Sequence, residues 1–127
     1  HRDLHSFPTR RSSDLMICAA QLTLSVLLEV HDAETLLRIR SLIDFPKAHY
    51  SVLGINNRNL ATMQVDLNTT IRLAELAGEK KGLVAESGIK TREDVEKLKK
   101  CGATALLIGE TLCKSENIEE KFKELFG

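Results

Sequence analysis

The sequence predicts an α/β fold that forms half of a (β/α)₈ barrel, built from four consecutive strand–helix units. Three observations support this prediction. Four short apolar runs alternate with helical stretches, which is the pattern of a parallel sheet with right-handed crossovers. The runs VLL, VLGI and ALLI are apolar at consecutive positions, as strands buried on both faces are. Polar residues follow every predicted strand at its C-terminal end, where barrel sites are built.

The composition is that of an ordinary globular chain. Of the 127 residues, 43% are hydrophobic and 28% are charged, and the net charge is zero. These values exclude a disordered chain, a collagen and a coiled-coil rod. No apolar run approaches the roughly 18 residues of a membrane span. The balanced charge and the scarcity of aromatic residues, at 4% with no Trp, give no support for binding to nucleic acid or to a membrane surface.

The cysteines indicate the compartment. Cys18, Cys101 and Cys113 form no C-x-x-C pair, and their odd number argues against a disulfide framework. We therefore expect a reducing, cytoplasmic setting. The sequence also has no metal-ligand spacing, so we expect no metal site.

Residues 1–15, HRDLHSFPTRRSSDL, differ from the rest of the chain. They have no helical or strand periodicity, and they lack the apolar central region of a signal peptide. The string HSFPTRRSSDL resembles the in-frame translation of a common sequencing-adapter oligonucleotide. We therefore expect residues 1–15 to be a disordered, artefactual extension and residues 16–127 to form the domain.

The first unit begins with a short apolar run over residues 25–30, which predicts a strand. Asp32 is placed to cap a helix over residues 33–43, where apolar residues recur with helical spacing. The pair Phe45-Pro46 ends that helix, because the residue before a proline avoids the α region.

The second unit begins with a strand over residues 50–55, followed by a polar loop over residues 56–64. Asp66 is the predicted N-cap of the next helix, which runs to about residue 77. Apolar residues at helical spacing give this helix a buried side.

The third unit has its strand over residues 83–85. Thr91 caps the following helix, and Asp94 lies three residues further on, which is the spacing of a capping box. The helix runs through residue 100, and Gly102 is placed to close it with a positive φ.

The fourth unit has its strand over residues 105–108, followed by the short segment 110–113. Asn117 and Glu120 form a second candidate capping box, which begins the last helix. Ile118, Phe122 and neighbouring apolar residues form one face of that helix.

Two architectures fit this alternation: a doubly wound open sheet and part of a (β/α)₈ barrel. A doubly wound sheet concentrates its reactive groups at one switch point, usually with a G-x-G-x-x-G motif. The sequence has no such motif. Polar groups instead follow all four strands, which favours a barrel segment. These groups are Glu29 and His31, then Asn56, Asn57 and Arg58, then Glu86 and Ser87, and finally Gly109 and Glu110.

Glu29 is the most informative of these residues. Its neighbours Leu27, Leu28 and Val30 are apolar, so its charge must face a cavity, a partner or water. His31 lies on the same face by the period of two, although a lone histidine is more often a structural hydrogen-bonding residue.

Two loops contain candidate anion-binding groups. The segment around Asn56 and Arg58 fits a simple turn, because Asn favours loops, but the fork of the arginine can also hold a carboxylate or a phosphate. Gly88 and Gly109 lie at the ends of adjacent strands, where backbone N–H groups can approach a ligand. Loops at the last two strands of a barrel commonly bind a phosphate, so the sequence predicts a phosphate site there.

Four segments resemble the C-terminal half of indole-3-glycerol phosphate synthase: LLEVHDAETL, GINNRNLATMQVDLNTTIRLA, VAESGIKTREDVEKLKKCGATALLIGETL and the closing LFG. The resemblance covers nearly all of residues 24–127. It implies a (β/α)₈ TIM barrel of which the four strands are the fifth to the eighth. It also implies ring closure and decarboxylation of 1-(2-carboxyphenylamino)-1-deoxyribulose 5-phosphate to indole-3-glycerol phosphate in tryptophan biosynthesis. That reaction needs no cofactor and no metal.

The resemblance also implies roles for individual residues. Glu29 matches a catalytic glutamate that acts in general-base chemistry and stabilises positive charge. Asn56 matches an asparagine that positions the substrate, and Glu86 matches the glutamate near the ring-forming atoms. Arg58 matches a supporting loop arginine. The expected phosphate cradle consists of Ser87, Gly88, Gly109 and Glu110.

The sequence departs from the family pattern in one respect. The family also uses an E-x-K pair on an early strand and a further lysine as the general acid. Residues 16–24 contain no lysine, so none of these groups can be placed. A complete barrel needs about 250 residues. We therefore expect this chain to be inactive alone and to self-associate through the exposed edges and inner face of a half barrel.

Two alternatives remain for the function. The chain could be a non-catalytic, phosphate-binding half barrel that assembles as a dimer. It could also belong to another phosphate-binding barrel, such as phosphoribosylanthranilate isomerase or the alpha subunit of tryptophan synthase. The segment GINNRNL argues against the second alternative, because neither of those families has it.

Overall fold

The computed structural model describes residues 10–43, 51–78 and 82–127. Strands and helices alternate along these ranges after a first helix. In chain order the elements are α1 (Arg10–Gln21), β1 (Val26–Val30), α2 (Ala33–Ile43), β2 (Ser51–Asn56), α3 (Asn68–Ala77), β3 (Leu83–Glu86), α4 (Arg92–Lys100), β4 (Ala105–Leu107), α5 (Glu110–Cys113) and α6 (Ile118–Phe126).

The four strands form one parallel sheet in the order β1-β2-β3-β4. Each strand therefore pairs with the strand before or after it in the sequence, and a helix makes each crossover. A doubly wound sheet would reverse its strand order at a switch point. The consecutive order confirms the predicted half-barrel pattern of four βα units.

The two faces of the sheet differ in what covers them. On the outer face, alternate strand residues such as Val30, Ile55 and Leu83 are buried against helix residues such as Leu36 and Leu73. A second cluster continues this core beside β3 and β4, where it contains Ala85, Ile89, Val95, Leu98 and Leu125. The strand residues between these point to the inner face, because the side chains of a strand alternate with a period of two.

The inner face is partly apolar and partly polar. Leu27 and Val52 are exposed on it, and so is Leu107 at the end of β4, level with Glu86. The carboxyl and amide side chains of Glu29, Asn56 and Glu86 lie toward the C-terminal ends of β1, β2 and β3. In register, Glu29 pairs with Gly54, and Asn56 pairs with Glu86. The sheet therefore brings the polar residues of three strands to one end of the inner face.

The predicted caps of α2, α4 and α6 are confirmed in the structure. The backbone N–H of Thr35 donates to Asp32 Oδ1 at 2.7 Å. Thr91 and Asp94 form a reciprocal capping box at the start of α4, and Gly102 follows this helix with φ of 104°. The side chain of Asn117 accepts a hydrogen bond from the backbone N–H of Glu120 at 3.1 Å, so Asn117 caps α6. The reciprocal bond of the predicted capping box is not seen among the described residues.

The predicted cap of α3 is wrong. Asp66 accepts a hydrogen bond from the backbone N–H of Asn68, but Leu67 occupies the capping position and has no side chain that can accept one. The Oδ1 atom of Asn57 instead accepts from the backbone N–H and the hydroxyl of Thr70, at 3.1 and 2.7 Å. A residue of the preceding loop, 13 positions away, therefore caps this helix.

The N-terminal segment differs from the expectation of disorder. Helix α1 begins at Arg10, so residues 10–15 are helical, whereas residues 1–9 lie outside the described residues. Met16 is buried in the cluster that contains Val30 and Leu36, and this contact fixes the helix on the sheet. The artefactual origin of residues 1–15 stays a prediction.

The predicted bounds of the other elements agree to within one or two residues. The pair Phe45-Pro46, predicted to end α2, lies outside the described residues. On α6 only Leu125 of the predicted apolar face is buried, and Ile118, Phe122 and Phe126 are exposed.

Within the described ranges, the helices are too short and too polar to cross a membrane.

Candidate active site

A cavity of about 750 Å³ opens at the C-terminal ends of the strands. All eight site residues expected from the sequence line it, and they come from all four strand–helix units. They are Glu29, Asn56, Arg58, Glu86, Ser87, Gly88, Gly109 and Glu110. The parallel order of the sheet explains this convergence, because the C-terminal ends of parallel strands share one edge.

Glu29 and Asn56 are joined by a hydrogen bond across β1 and β2. Asn56 Nδ2 donates to Glu29 Oε1 at 2.8 Å. Asn56 is itself held by its loop, since its Oδ1 accepts from the backbone N–H of Arg58 at 2.9 Å. Glu29 is exposed to the cavity, so a carboxylate of fixed orientation faces the open space.

Glu86 is in a different environment from Glu29. Its side chain is only 2% exposed, and among the described residues no N–H or hydroxyl group donates to either carboxyl oxygen. Burial raises the pKa of Glu86 to about 7, and the neighbouring carboxyl of Glu29, through a shared proton and its negative charge, adds to the rise. A carboxyl group with a pKa near 7 can donate or accept a proton at neutral pH.

Gly54 makes room for this carboxyl group. A Cβ atom at position 54 would lie 2.7 Å from Glu86 Oε1 and 3.0 Å from Leu27 Cδ1. A side chain at position 54 would therefore displace the carboxyl group of Glu86 and the end of the Leu27 side chain. Sequence reasoning missed Gly54, although a glycine inside an apolar strand is a recognised sign of close approach.

Arg58 and Glu110 link the loop after β2 to helix α5. Arg58 Nη2 lies 2.6 Å from Glu110 Oε2, and Lys114 Nζ lies 2.7 Å from Glu110 Oε1. The hydrogen bond and charge of Lys114, and then the charge of Arg58, hold the pKa of Glu110 below its ordinary value. The prediction from sequence missed Lys114, Lys90 and Lys121, which also line the cavity. Lys121 Nζ lies 2.9 Å from Glu124 Oε1.

The chain turns sharply after β3. Ser87 has φ of 68° and Gly88 has φ of 74°, so two successive residues adopt the left-handed region. A Cβ atom at Gly88 would collide with Val65 Cγ1, whereas one at Gly109 would meet nothing within 4 Å. The hydroxyl of Thr111 donates to the carbonyl of Ile89 at 2.5 Å, which ties α5 to this turn.

Two polar residues from the predicted set lie away from the cavity. His31 Nε2 contacts Asp32 Oδ2 at 3.1 Å and lines a separate groove with Thr69 and Arg72, so the period of two does not continue past the end of β1. Asn57 is 2% exposed and hydrogen bonds to Thr70 and to the carbonyl of Ser87. Its position behind the turn, away from the cavity lining, was not predicted.

The described residues contain no group of three or more His, Cys, Asp and Glu side chains placed to hold a metal ion. Cys18, Cys101 and Cys113 are free thiols. The residues that line the cavity can transfer protons through two carboxyl groups and can bind anions through Arg58, lysines and backbone N–H groups.

Known proteins are similar to this chain over most of its length. The family model described as indole-3-glycerol phosphate synthase matches residues 4–125. The chain is 41% identical to the indole-3-glycerol phosphate synthase of Acinetobacter baylyi over 109 residues, which are 86% of this chain and 39% of the relative. It is 42% identical to the synthase of Ruminiclostridium cellulolyticum over 84% of this chain and 38% of the relative.

A third synthase, from Halalkalibacterium halodurans, is 34% identical over 122 residues, which are 96% of this chain and 46% of the relative. The chain thus spans less than half the length of these curated relatives. The family match covers the four strands and every cavity residue named above. The chain belongs to the indole-3-glycerol phosphate synthase family.

Proposed function

We propose that this chain supplies strands five to eight of an indole-3-glycerol phosphate synthase, a carbon–carbon lyase. The reaction closes the ring of 1-(2-carboxyphenylamino)-1-deoxyribulose 5-phosphate, releases CO₂ and water, and gives indole-3-glycerol phosphate. The observation that carries the proposal is the pair of neighbouring carboxyl groups, exposed Glu29 and buried Glu86, inside a cavity that also holds one arginine and three lysines. Ring closure, loss of CO₂ and dehydration all need protons moved at a fixed place, which such a pair can do.

We take the catalytic roles from the family resemblance, and the positions of three side chains support them. Glu29 acts as a general base and stabilises positive charge on the substrate, since its carboxylate faces the open cavity. Asn56 holds Glu29 in place through the 2.8 Å hydrogen bond and positions the substrate. Glu86 lies beside the ring-forming atoms and exchanges a proton near neutral pH, because its pKa is about 7.

The phosphate of the substrate binds at the other end of the cavity. Ser87, Gly88, Gly109 and Glu110 form the cradle through their backbone N–H groups, and the open space beside Gly109 leaves room for phosphate oxygens. Arg58 supports the substrate from the loop after β2. No metal and no organic cofactor takes part in this proposal.

The family's general acid is a lysine on an earlier strand, and no lysine occurs in residues 16–24. General acid catalysis commonly contributes about 10²–10⁴-fold to a rate. We therefore propose that this chain alone does not turn over substrate. We further propose that the enzyme works in the cytoplasm, where the three unpaired thiols remain reduced.

A chimera tests the proposed activity. The first half of the Halalkalibacterium halodurans synthase is fused to residues 24–127 of this chain, and formation of indole-3-glycerol phosphate is followed by its fluorescence. We expect turnover by the chimera, none by the chain alone, and a loss of at least about 10²-fold in the Glu86→Gln chimera. A cooperatively folded chimera without activity contradicts the proposal, as does turnover by the isolated chain at the rate of the full-length relative.

We also propose that the isolated chain self-associates. Leu27, Val52 and Leu107 are exposed on the inner face of the sheet, where a closed barrel would cover them. Strands β1 and β4 are the edge strands of the sheet. Edge strands carry unpaired backbone groups that can pair with another strand.

A further inference from the structure

We infer that Asn57 is a positioning residue for phosphate binding, acting through the peptide between Ser87 and Gly88. This inference rests on the proposed function, in which Gly88 belongs to the phosphate cradle. Asn57 does not line the cavity, so it would act without touching the substrate.

Asn57 is fully engaged in hydrogen bonds on the outer side of the turn. Its backbone N–H donates to the carbonyl of Glu86 at 2.8 Å, and its side-chain Nδ2 donates to the carbonyl of Ser87 at 3.1 Å. Its Oδ1 accepts from the backbone N–H and the hydroxyl of Thr70. Both bonds from Thr70 orient the side-chain amide, so that its NH₂ group points at Ser87.

The orientation of the Ser87 carbonyl determines the direction of a second group. In a planar trans peptide, the C=O and the N–H point in opposite directions. Because the carbonyl of Ser87 points to Asn57, the N–H of the same peptide, which belongs to Gly88, points away from Asn57. Gly88 lines the cavity, and Asn57 and Thr70 do not, so this N–H is directed to the cavity side.

The backbone on both sides of this peptide adopts the left-handed region. Both flanking residues, Ser87 and Gly88, have positive φ, and for a serine this region is unfavourable. A strained conformation of this kind persists where surrounding contacts hold it, and the hydrogen bond from Asn57 to the carbonyl of Ser87 is such a contact. If the peptide flipped, a carbonyl oxygen would face the cavity and repel a phosphate in place of the donor that binds it.

The experiment compares two variants of the ¹⁵N-labelled chain in titrations with inorganic phosphate. Asn57→Asp replaces the donor with a carboxylate oxygen that repels the carbonyl of Ser87, and it keeps an acceptor for Thr70. Thr70→Val removes one bond to Asn57 and keeps the bond from Asn57 to Ser87. We expect the Gly88 amide signal to move with phosphate in the wild type and in Thr70→Val. In Asn57→Asp we expect phosphate affinity to fall about tenfold.

The kinetics of the chimera give a second measurement. We expect Asn57→Asp to raise KM for the phosphorylated substrate about tenfold and to change kcat less than about twofold. The reason is that the phosphate is bound equally in the ground state and in the transition state, so weaker phosphate binding raises KM and leaves kcat nearly unchanged. A purely structural role would lower kcat as well and would affect Thr70→Val equally.

The outcomes separate the two proposals. If the Gly88 amide signal of the wild type does not move when phosphate is added, the proposed phosphate site is overturned, and the role of Asn57 with it. A normal response in Asn57→Asp overturns only the role of Asn57. If that variant does not fold, Asn57→Ser carries the same expectation. In the wild type, the side-chain amide protons of Asn57 must also exchange slowly with solvent, and fast exchange would overturn the inference.

Discussion

The buried carboxyl group of Glu86 links the chemistry of the cavity to the stability of the chain. Burial raises its pKa to about 7, whereas an exposed glutamate in the unfolded chain has the ordinary value of about 4.5. The folded chain therefore binds this proton more tightly than the unfolded chain. The stabilisation that this group contributes is fully present below about pH 4.5 and is lost as the pH rises through about 7.

We expect Glu86→Gln to remove this dependence on pH. Each pKa unit corresponds to about 1.4 kcal/mol, so the wild-type free energy of unfolding should fall by about 2–3 kcal/mol more than that of the variant between pH 4.5 and 7.5. Urea unfolding at a series of pH values measures the difference. Parallel curves for the two proteins over this range would contradict the raised pKa.

At the scale of single residues, the sequence identified those whose chemistry is visible in their type. Glu29 is a charge within an apolar strand, and Glu86 follows a strand directly, so both could be placed at the cavity. Asn57 and Gly54 could not be assigned in this way. Their roles depend on contacts with Ser87 and Glu86, residues about 30 positions away in the chain, and no local pattern contains those contacts.

At the scale of the elements, local signals were reliable and remote ones were not. The capping box of Thr91 and Asp94 lies within four residues, so the sequence alone contains both partners. The cap of α3 comes from Asn57, across a loop, and the nearer Asp66 was the natural but wrong choice. The register of β2 against its neighbours also became known only from the structure.

Gly54 in β2 provides a test at this scale. We expect Gly54→Ala to lower the free energy of unfolding by about 1–3 kcal/mol, because the added methyl group overlaps Glu86 Oε1 and displaces this buried carboxyl group. Activity of the chimera should fall as well, since the displaced carboxyl leaves its position beside Glu29.

Gly109→Ala is the matched control for stability. Position 109 has φ of −114° and nothing within 4 Å of an added Cβ, so this change should alter the free energy of unfolding by less than about 1 kcal/mol. Chemical unfolding of both variants checks the contrast. Equal effects at the two positions would show that the space beside Glu86 is not restricted.

At the scale of the whole molecule, the order of the units was predictable and the covering of the inner face was not. Alternation of strands and helices predicts consecutive parallel pairing, which the sheet shows. The apolar strand runs suggested burial on both faces. The inner face instead exposes Leu27, Val52 and Leu107, because the described residues place all their helical packing on the other side.

Sedimentation tests the consequence for self-association. We expect the wild-type chain to sediment as a dimer or a larger species at micromolar concentration, and Leu27→Lys to shift it to the monomer by placing a charge on the inner face. Leu37→Lys is the control, because Leu37 is at least as exposed as Leu27, at 50% against 41%, but lies on α2. A wild-type chain that sediments as a monomer and melts sharply contradicts the proposal.

The consecutive strand order also governs how the fold can be acquired. Within the described residues, each strand of this sheet pairs only with strands of neighbouring units, so its pairing involves contacts of limited sequence separation. Each βα unit can dock onto the edge left by the one before it, without rearrangement of strands that have already paired. The sheet can therefore grow in the direction of synthesis, and each βα unit that leaves the ribosome can pack onto the units that have already folded.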